Sequence, residues 1–503
     1  MSTRPADPSD VLVVGTGLGG ASLALRLAAR GIRVTLIERG AWARRDEGDW
    51  DPKKILVDKV YQSASPTRVS QYGRAPRDEH HNEVVGGLSV FYGGAALRLR
   101  EEDFRAWPLD YAAFEPYYTQ AEALLEVHGE ADDPTGPPRA APYPYPARAL
   151  TAPAQRVKRA AASLGLEPCR IPLAINHQNA ARPRCEDCFT CDGFPCKLGA
   201  KNEAATSALA AADPALLDVR DQLAALELER RDRTIVGVRC LDLRTRETLS
   251  LPARLVVVSG GALQSPALLL RSGLAELDPS GSLGRNLMRH CNAIVGCLFP
   301  FRVNRDEINH KQILVSSLYH RQRAEKGTAV GVIQDMCMPP PAAVRQNAPW
   351  GLGFLAGLFS RFIQALICIA EDLPQPRNRV SLGADRDALG IPVTEVFHAY
   401  HPDDLARRDL LVRTAKRILR RSGGLLCVTS KIASFSHGLG TVRFGADPGA
   451  SALDTDCRFW NLDNLYVVDG CFMPSSGGVN PSLTIVANAL RVADRLAAER
   501  LGK

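Results

Sequence analysis

Residues 10–40 read DVLVVGTGLGGASLALRLAARGIRVTLIERG. Val11 to Val14 is a short apolar run of the kind a buried parallel strand needs. It ends in Gly15-Thr16-Gly17-Leu18-Gly19-Gly20, which fits G-x-G-x-x-G. Leu23 and Leu27, four apart among alanines, predict a helix, and Val34 to Ile37 predicts a second strand that delivers Glu38 and Arg39 at its end. Each residue type has a physical task. Gly15 permits the tight turn, Gly17 lets a pyrophosphate approach the backbone, and Gly20 lets helix and strand pack closely. The helix start at Leu18 and Gly19 offers free N–H groups and a positive dipole end to phosphates. Glu38, about 20 residues on, can accept hydrogen bonds from both hydroxyls of a ribose. A bare G-x-G-x-x-G often does no more than turn a chain. With strand, helix, second strand and acid in order, the stretch predicts a dinucleotide site.

The 503 residues predict two or more domains, or a discontinuous pair, with ample core. A hydrophobic share of 45% and a charged share of 23% are ordinary for a globular protein. The net charge of +7 comes without a basic block or an aromatic-interleaved patch, which argues against nucleic acid as a partner. The polar start MSTRPADPSD and the lack of any run of about 18 apolar residues predict a cytoplasmic chain with no transmembrane segment. In that compartment the thirteen cysteines are expected as thiols or ligands rather than disulfides.

Outward from the first unit, Asn82 to Gly94 carries two Gly-Gly pairs, Gly86-Gly87 followed by Leu88-Ser89, and Gly93-Gly94. Leu255 to Ser259 is a continuous apolar strand entering Gly260-Gly261, and Arg285 to His290 reads RNLMRH. Near the C-terminus stand Ser436-His437-Gly438-Leu439-Gly440-Thr441, Asp469-Gly470, and Asn480-Pro481-Ser482 leading into a closing helix. In these elements the sequence resembles the glucose–methanol–choline (GMC) family of FAD-dependent oxidoreductases from end to end, most specifically at its two termini. The resemblance implies an α/β fold: a discontinuous Rossmann-like FAD domain (1–100, 200–290 and 435–503) and an inserted α+β substrate domain with a mostly antiparallel sheet (101–199 and 291–434). It implies that the Gly86-Gly87-x-Ser89 loop covers the flavin, that Gly260 returns the chain to the FAD sheet, and that Asp469 and Gly470 contact the ribityl and phosphate region. Pro481 and Ser482 would start a helix aimed at the flavin, whose dipole favours the reduced, anionic form. His437 and Asn480 match the family's His/Asn pair, and oxidation of a small-molecule alcohol follows. The imidazole takes the hydroxyl proton while carbon gives hydride to the flavin, and Asn480 orients the oxygen. Oxygen or an unknown electron acceptor would then reoxidise it. Phe91 and Tyr92 stand where some members carry a flavin-linking histidine, so FAD is expected non-covalently bound. His80 and His81 are expected at the surface and His290 in a structural role.

Three stretches remain. Tyr111 to Leu125 predicts a helix interrupted at Pro116. Cys185, Cys188, Cys191 and Cys196 form C-x2-C-x2-C-x4-C, near an iron–sulfur run but with a longer last gap and no following proline. No second cysteine or histidine pair in sequence suggests zinc. A structural or redox-inert role is expected, with a metal or iron–sulfur site as the alternative. Phe354 to Ile367 places apolar residues at helical spacing, predicting a helix packed on a sheet. Its alternative is an apolar lip for a hydrophobic substrate or for peripheral membrane contact. Two other functions compete: a flavin-dependent lyase or photodecarboxylase of the same fold, and an electron-relaying flavoprotein subunit.

Overall fold

The computed structural model describes residues 9–71, 74–306, 308–336, 341, 345, 357–432, 434–500 and 502. Strand Ser9–Val14 lies between Val34–Ile37 and the end of Thr248–Val258, parallel to both, and Leu217–Arg220 extends the sheet beyond Val34–Ile37. Parallel strands are covered on both faces, which is why Val11–Val14 and Leu255–Val258 are unbroken Val and Leu. Val11, Leu12 and Val13 are all buried, each contributing about 1.5–3 kcal/mol through burial. Thr248–Val258 serves two neighbourhoods. Its first half pairs antiparallel with Thr234–Asp242, while Val256–Val258 pairs parallel with Leu465–Val467. That last pairing brings the C-terminal Asp469-Gly470 turn beside the N-terminal glycine turn. The closing helix, Ser482–Arg500, packs on Leu18–Ala28, with Asp494 accepting from Arg26 at 2.8 Å.

A second sheet is antiparallel throughout, in the order 426–431, 293–298, 363–370, 331–336, 313–315 and 168–170. Helix Pro402–Arg421 covers one face of it. A four-stranded sheet joins the hairpin 379–397 to strand Thr67–Gln71, which pairs with Pro392–Phe397 in parallel. Among the described residues no helix is long and apolar enough to cross a membrane.

Several local expectations fail, for identifiable reasons. The predicted helix at Phe354–Ile367 holds only in its first part where it is described: residues 357–358 are helical and Ser360–Phe362 is a 3-10 turn, but from Ile363 the chain becomes the strand Ile363–Ala370, central in the antiparallel sheet. Leu366, Cys368 and Ala370 join the core under helix Pro402–Arg421, while Ile367 and Ile369 face the other core. A strand buried on both faces is apolar at every position and so satisfies helical spacing by default. Leu355 lies outside the described residues. Pro116 does not interrupt its helix, which runs from Tyr111 to Leu124 with Asp110 capping it. Cys297 and Cys427 are disulfide-bonded, because the register of 293–298 against 426–431 sets them directly opposite each other. His80 is exposed, but His81 is half-buried, and burial lowers its pKa to about 4.

Candidate active site

The glycine turn is built as its residue types require. Gly15 has φ +104°, and a Cβ there would lie 2.3 Å from the Ser259 carbonyl oxygen. A Cβ on Gly20 would lie 2.2 Å from the Gly15 carbonyl oxygen, so helix and strand are in backbone contact. Gly19 approaches Val468 in the same way, at 2.5 Å. Gly17 is different. It caps the helix beginning at Leu18 with no side-chain hydrogen bond, and a Cβ there meets nothing within 4 Å. Open space above uncapped N–H groups is what a pyrophosphate needs.

Glu38 stands at the end of the second strand. Its carboxylate accepts from Thr16 N at 3.1 Å, Thr16 Oγ1 at 2.7 Å and Gly40 N at 3.1 Å. Arg39 pairs with Glu83. The Gly86-Gly87 loop is tied to the same turn, since Gly86 N donates to Thr16 Oγ1 at 3.0 Å and both glycines have positive φ. Ser89 Oγ bonds back to the Gly86 carbonyl at 2.6 Å. Asp469 accepts from Gly261 N, Ser265 Oγ and Cys471 N, which locks the turn after Gly260 to the Asp469-Gly470 turn. Gly470 backs onto Gly438, because a Cβ there would sit 2.9 Å from the Gly438 carbonyl oxygen. The glycine pair thus connects the phosphate side of the site to the segment carrying His437. Pro481 and Ser482 head the closing helix, with Ile485 N donating to the Pro481 carbonyl.

His437 Nδ1 lies 2.9 Å from His290 Nδ1, with the two rings at 88°. His290 Nε2 lies 3.1 Å from both the Ser476 and the Gly477 carbonyl oxygens. Carbonyls only accept, so Nε2 of His290 carries hydrogen. Burial pushes the His290 pKa down, so its ring is neutral and its Nδ1 holds a lone pair. His437 therefore donates Nδ1–H to that lone pair, which leaves its own Nε2 as an acceptor. Burial, then the neighbouring His290 and Lys311, hold His437 well below the ordinary histidine range. A neutral imidazole with a bare nitrogen can take a proton.

Asn480 is buried, and its Oδ1 accepts from Gln334 Nε2 at 2.6 Å. With the carbonyl so engaged, the amide N–H groups face the other way and can donate to a substrate oxygen. The sequence expectation gave His290 a structural role, and its hydrogen bonds to 476 and 477 fit that. Its bond to His437 was not foreseen, nor was Gln334; no sequence signal marks Gln334, whereas a histidine in RNLMRH could have been paired with His437. Of the four cysteines, Cys188 donates to the Thr190 carbonyl at 2.7 Å, and Cys185, Cys188 and Cys196 form no disulfide.

The fold and the glycine turn define an α/β protein built to bind a dinucleotide. Family models narrow this: GMC oxidoreductase matches residues 79–292 and 374–489, and FAD dependent oxidoreductase matches residues 10–131. Similar curated proteins include paromamine 6'-oxidase from Streptomyces fradiae, 32% identical over 98% of this chain and 92% of the relative. Another is 2-methyl-1,2-propanediol dehydrogenase from Mycolicibacterium austroafricanum, 26% identical over 98% of this chain and 96% of the relative. Among solved structures, pyridoxine 4-oxidase from Mesorbium loti superposes with TM-score 0.70 at 21% identity, covering 98% of this chain and 100% of the other. The chain belongs to the GMC oxidoreductase family, and FAD is its cofactor.

Proposed function

We propose that the protein oxidises the carbinol of a small, hydroxylated alcohol, with His437 as the base that removes the hydroxyl proton. The observation that carries this is the hydrogen-bond relay from the 476–477 carbonyls through His290, which leaves His437 Nε2 bare. A base of this kind contributes about 10² to 10⁴ in rate. Asn480, its carbonyl held by Gln334, donates to the same alcohol oxygen and fixes it without competing for the proton. Bound FAD supplies the hydride acceptor.

The groups that would hold FAD are Gly15, Gly17, Leu18, Gly19, Gly20, Glu38 and Arg39 on the adenosine and pyrophosphate side. Gly86, Gly87, Ser89, Gly260, Asp469, Gly470, Pro481 and Ser482 lie along the rest. On this reading residues 1–100, 200–290 and 435–503 bind the cofactor, while 101–199 and 291–434 form the substrate side. Phe91 is buried and Tyr92 bonds to the Asn202 carbonyl. Phe91 has no nucleophile and the Tyr92 hydroxyl is committed to that carbonyl, so FAD is held non-covalently.

Leu366 and Ile367 lie in a core strand, which leaves the exposed Leu358 and Phe359 to carry an apolar lip. The relatives favour hydroxylated substrates instead, two of them being named paromamine 6'-oxidase and 6'''-hydroxyparomomycin C oxidase, at 32% and 31% identity. The test is anaerobic addition of paromamine, diols, sugars and simple alcohols to the yellow protein. Bleaching of the flavin by a hydroxylated compound is expected, and admitting oxygen then separates an oxidase from a dehydrogenase. A flavin that no alcohol reduces, but that turns over a carboxylic acid under light, would favour the photodecarboxylase reading.

A further inference from the structure

The loop 177–187 and the segment 308–312 bring together side chains that sequence order keeps apart. Donor atoms of His177, Cys185 and Asp187 all lie within 4.8 Å of one another. His310 lies against them from a distant part of the chain, its Nδ1 3.9 Å from Asp187 Oδ1 and its Nε2 3.3 Å from Cys185 Sγ. Cys185 Sγ is 3.9 Å from Asp187 Oδ1. A tetrahedral ion with ligand bonds of about 2.0–2.3 Å sets its ligands about 3.3–3.8 Å apart, so the pairs at 3.9 Å would need only a slight closure.

We propose that His177, Cys185, Asp187 and His310 bind one zinc ion, which fastens the cysteine-rich loop to the antiparallel sheet. Two nitrogens, one sulfur and one carboxylate oxygen are a zinc donor set. A second observation points the same way. The His310 side chain is only 1% exposed, yet its Nδ1, the nitrogen it would offer the ion, makes no hydrogen bond. The neighbouring His128 packs edge-on against the His177 ring at 5.5 Å, and its Nε2 is likewise buried without a partner. A buried polar atom left unbonded costs about 1–3 kcal/mol, and an ion held by His310 Nδ1 would relieve that cost there. On binding, the Cys185 S–H bond breaks, the sulfur pair goes to the ion and the proton to water; the charges of thiolate and carboxylate then balance the dication. Arg148 pairs with both oxygens of Asp187. It would keep one of them, the outer partner that ligating carboxylates usually have.

The position gives the ion a task. Lys311, next to His310, bonds Asp192 at 2.7 Å, and both side chains close on Gly93, where a Cβ would be 3.0 Å from Asp192 and 3.2 Å from Lys311 Nζ. The site therefore braces the second Gly-Gly turn and the lysine whose charge acts on His437. It does not use the four-cysteine pattern as a unit, since Cys188 is committed to the Thr190 carbonyl.

Metal analysis of the purified FAD-loaded protein should find about one zinc per chain. After removal by chelator, added Co²⁺ should give a thiolate charge-transfer band and the d–d bands of a four-coordinate ion. Cys185→Ser and His310→Gln should each weaken Zn²⁺ and Co²⁺ binding by more than about 100-fold, beyond the 10- to 100-fold cost of losing an outer partner. Cys188→Ser should bind both ions as the wild type does. FAD content reports folding of each variant, and His310→Gln, nearly isosteric, carries the test if Cys185→Ser does not fold. A wild-type protein that takes up neither ion stoichiometrically overturns the proposal. So does stoichiometric iron with acid-labile sulfide that disappears in Cys188→Ser, the outcome for an iron–sulfur cluster.

Discussion

At the scale of single residues, reactivity turns on which histidine nitrogens carry protons. His290 adopts φ +59°, a left-handed conformation that asparagine and histidine tolerate better than most side chains. That backbone aims Nε2 at two carbonyls and Nδ1 at His437. Replacing His290 with leucine removes the acceptor and leaves a buried N–H unpaired, at about 1–3 kcal/mol. Flavin reduction by the alcohol should fall about 10- to 100-fold, with FAD retained. His290→Asn keeps an acceptor near the position of Nδ1 and suits the backbone, so it should recover most of the rate. Stopped-flow traces of the two variants decide it: equal losses would make His290 a packing residue only. The proton positions were not legible from sequence, because the two histidines are 147 residues apart and a proton position is a property of three-dimensional neighbours.

At the scale of elements, the dinucleotide unit was legible because its logic is local: strand, turn, helix and acid follow within thirty-odd residues, each residue type fixed by the geometry it must permit. Ile363–Ala370 was not, because an unbroken apolar run fits a helix and a doubly buried strand equally well; its isoleucines were the clue toward a strand. The cysteine loop was half legible. Its density was plain, but the histidine that approaches Cys185 arrives from residue 310. The glycines give a paired prediction. Gly17 has φ −62° and room for a Cβ, so Gly17→Ala should fold normally yet put a methyl where the pyrophosphate approaches. FAD affinity should drop about tenfold or more, the equivalent of ~1.4 kcal/mol. Gly20→Ala, meeting the Gly15 carbonyl at 2.2 Å, should instead lower stability by about 1–3 kcal/mol. Isothermal titration with FAD and thermal melts of the apoproteins separate the two effects. Normal FAD binding by Gly17→Ala would contradict the cradle.

At the scale of the whole molecule, burial of histidines ties stability to pH. His81 is held at about 4, and His290, His398 and His437 are also lowered, chiefly by burial. Each is neutral in the fold and protonated in the unfolded chain below about 6.5, so the unfolded state binds more protons and stability falls as pH drops. The slope approaches about 1.4 kcal/mol per pH unit for each such group. Asp335 and Asp404, pushed up to about 6 by burial, oppose this below pH 6 because they take up protons in the fold. The histidines outnumber them, so the melting temperature of FAD-saturated protein should decline from pH 7 to pH 5; a flat profile would contradict the burial argument. The same burial governs catalysis. The account's central claim is that neutral His437 removes the alcohol proton, and the most direct test is the rate of anaerobic flavin reduction in wild type and His437→Ala as a function of pH. The wild-type rate should hold steady down to pH 6 and fall only well below 6.5, as the lowered pKa of His437 requires. His437→Ala should bind FAD, reduce it about 10² to 10⁴ more slowly, and lose that acid limb. A variant that reduces its flavin at the wild-type rate would remove His437 from the reaction.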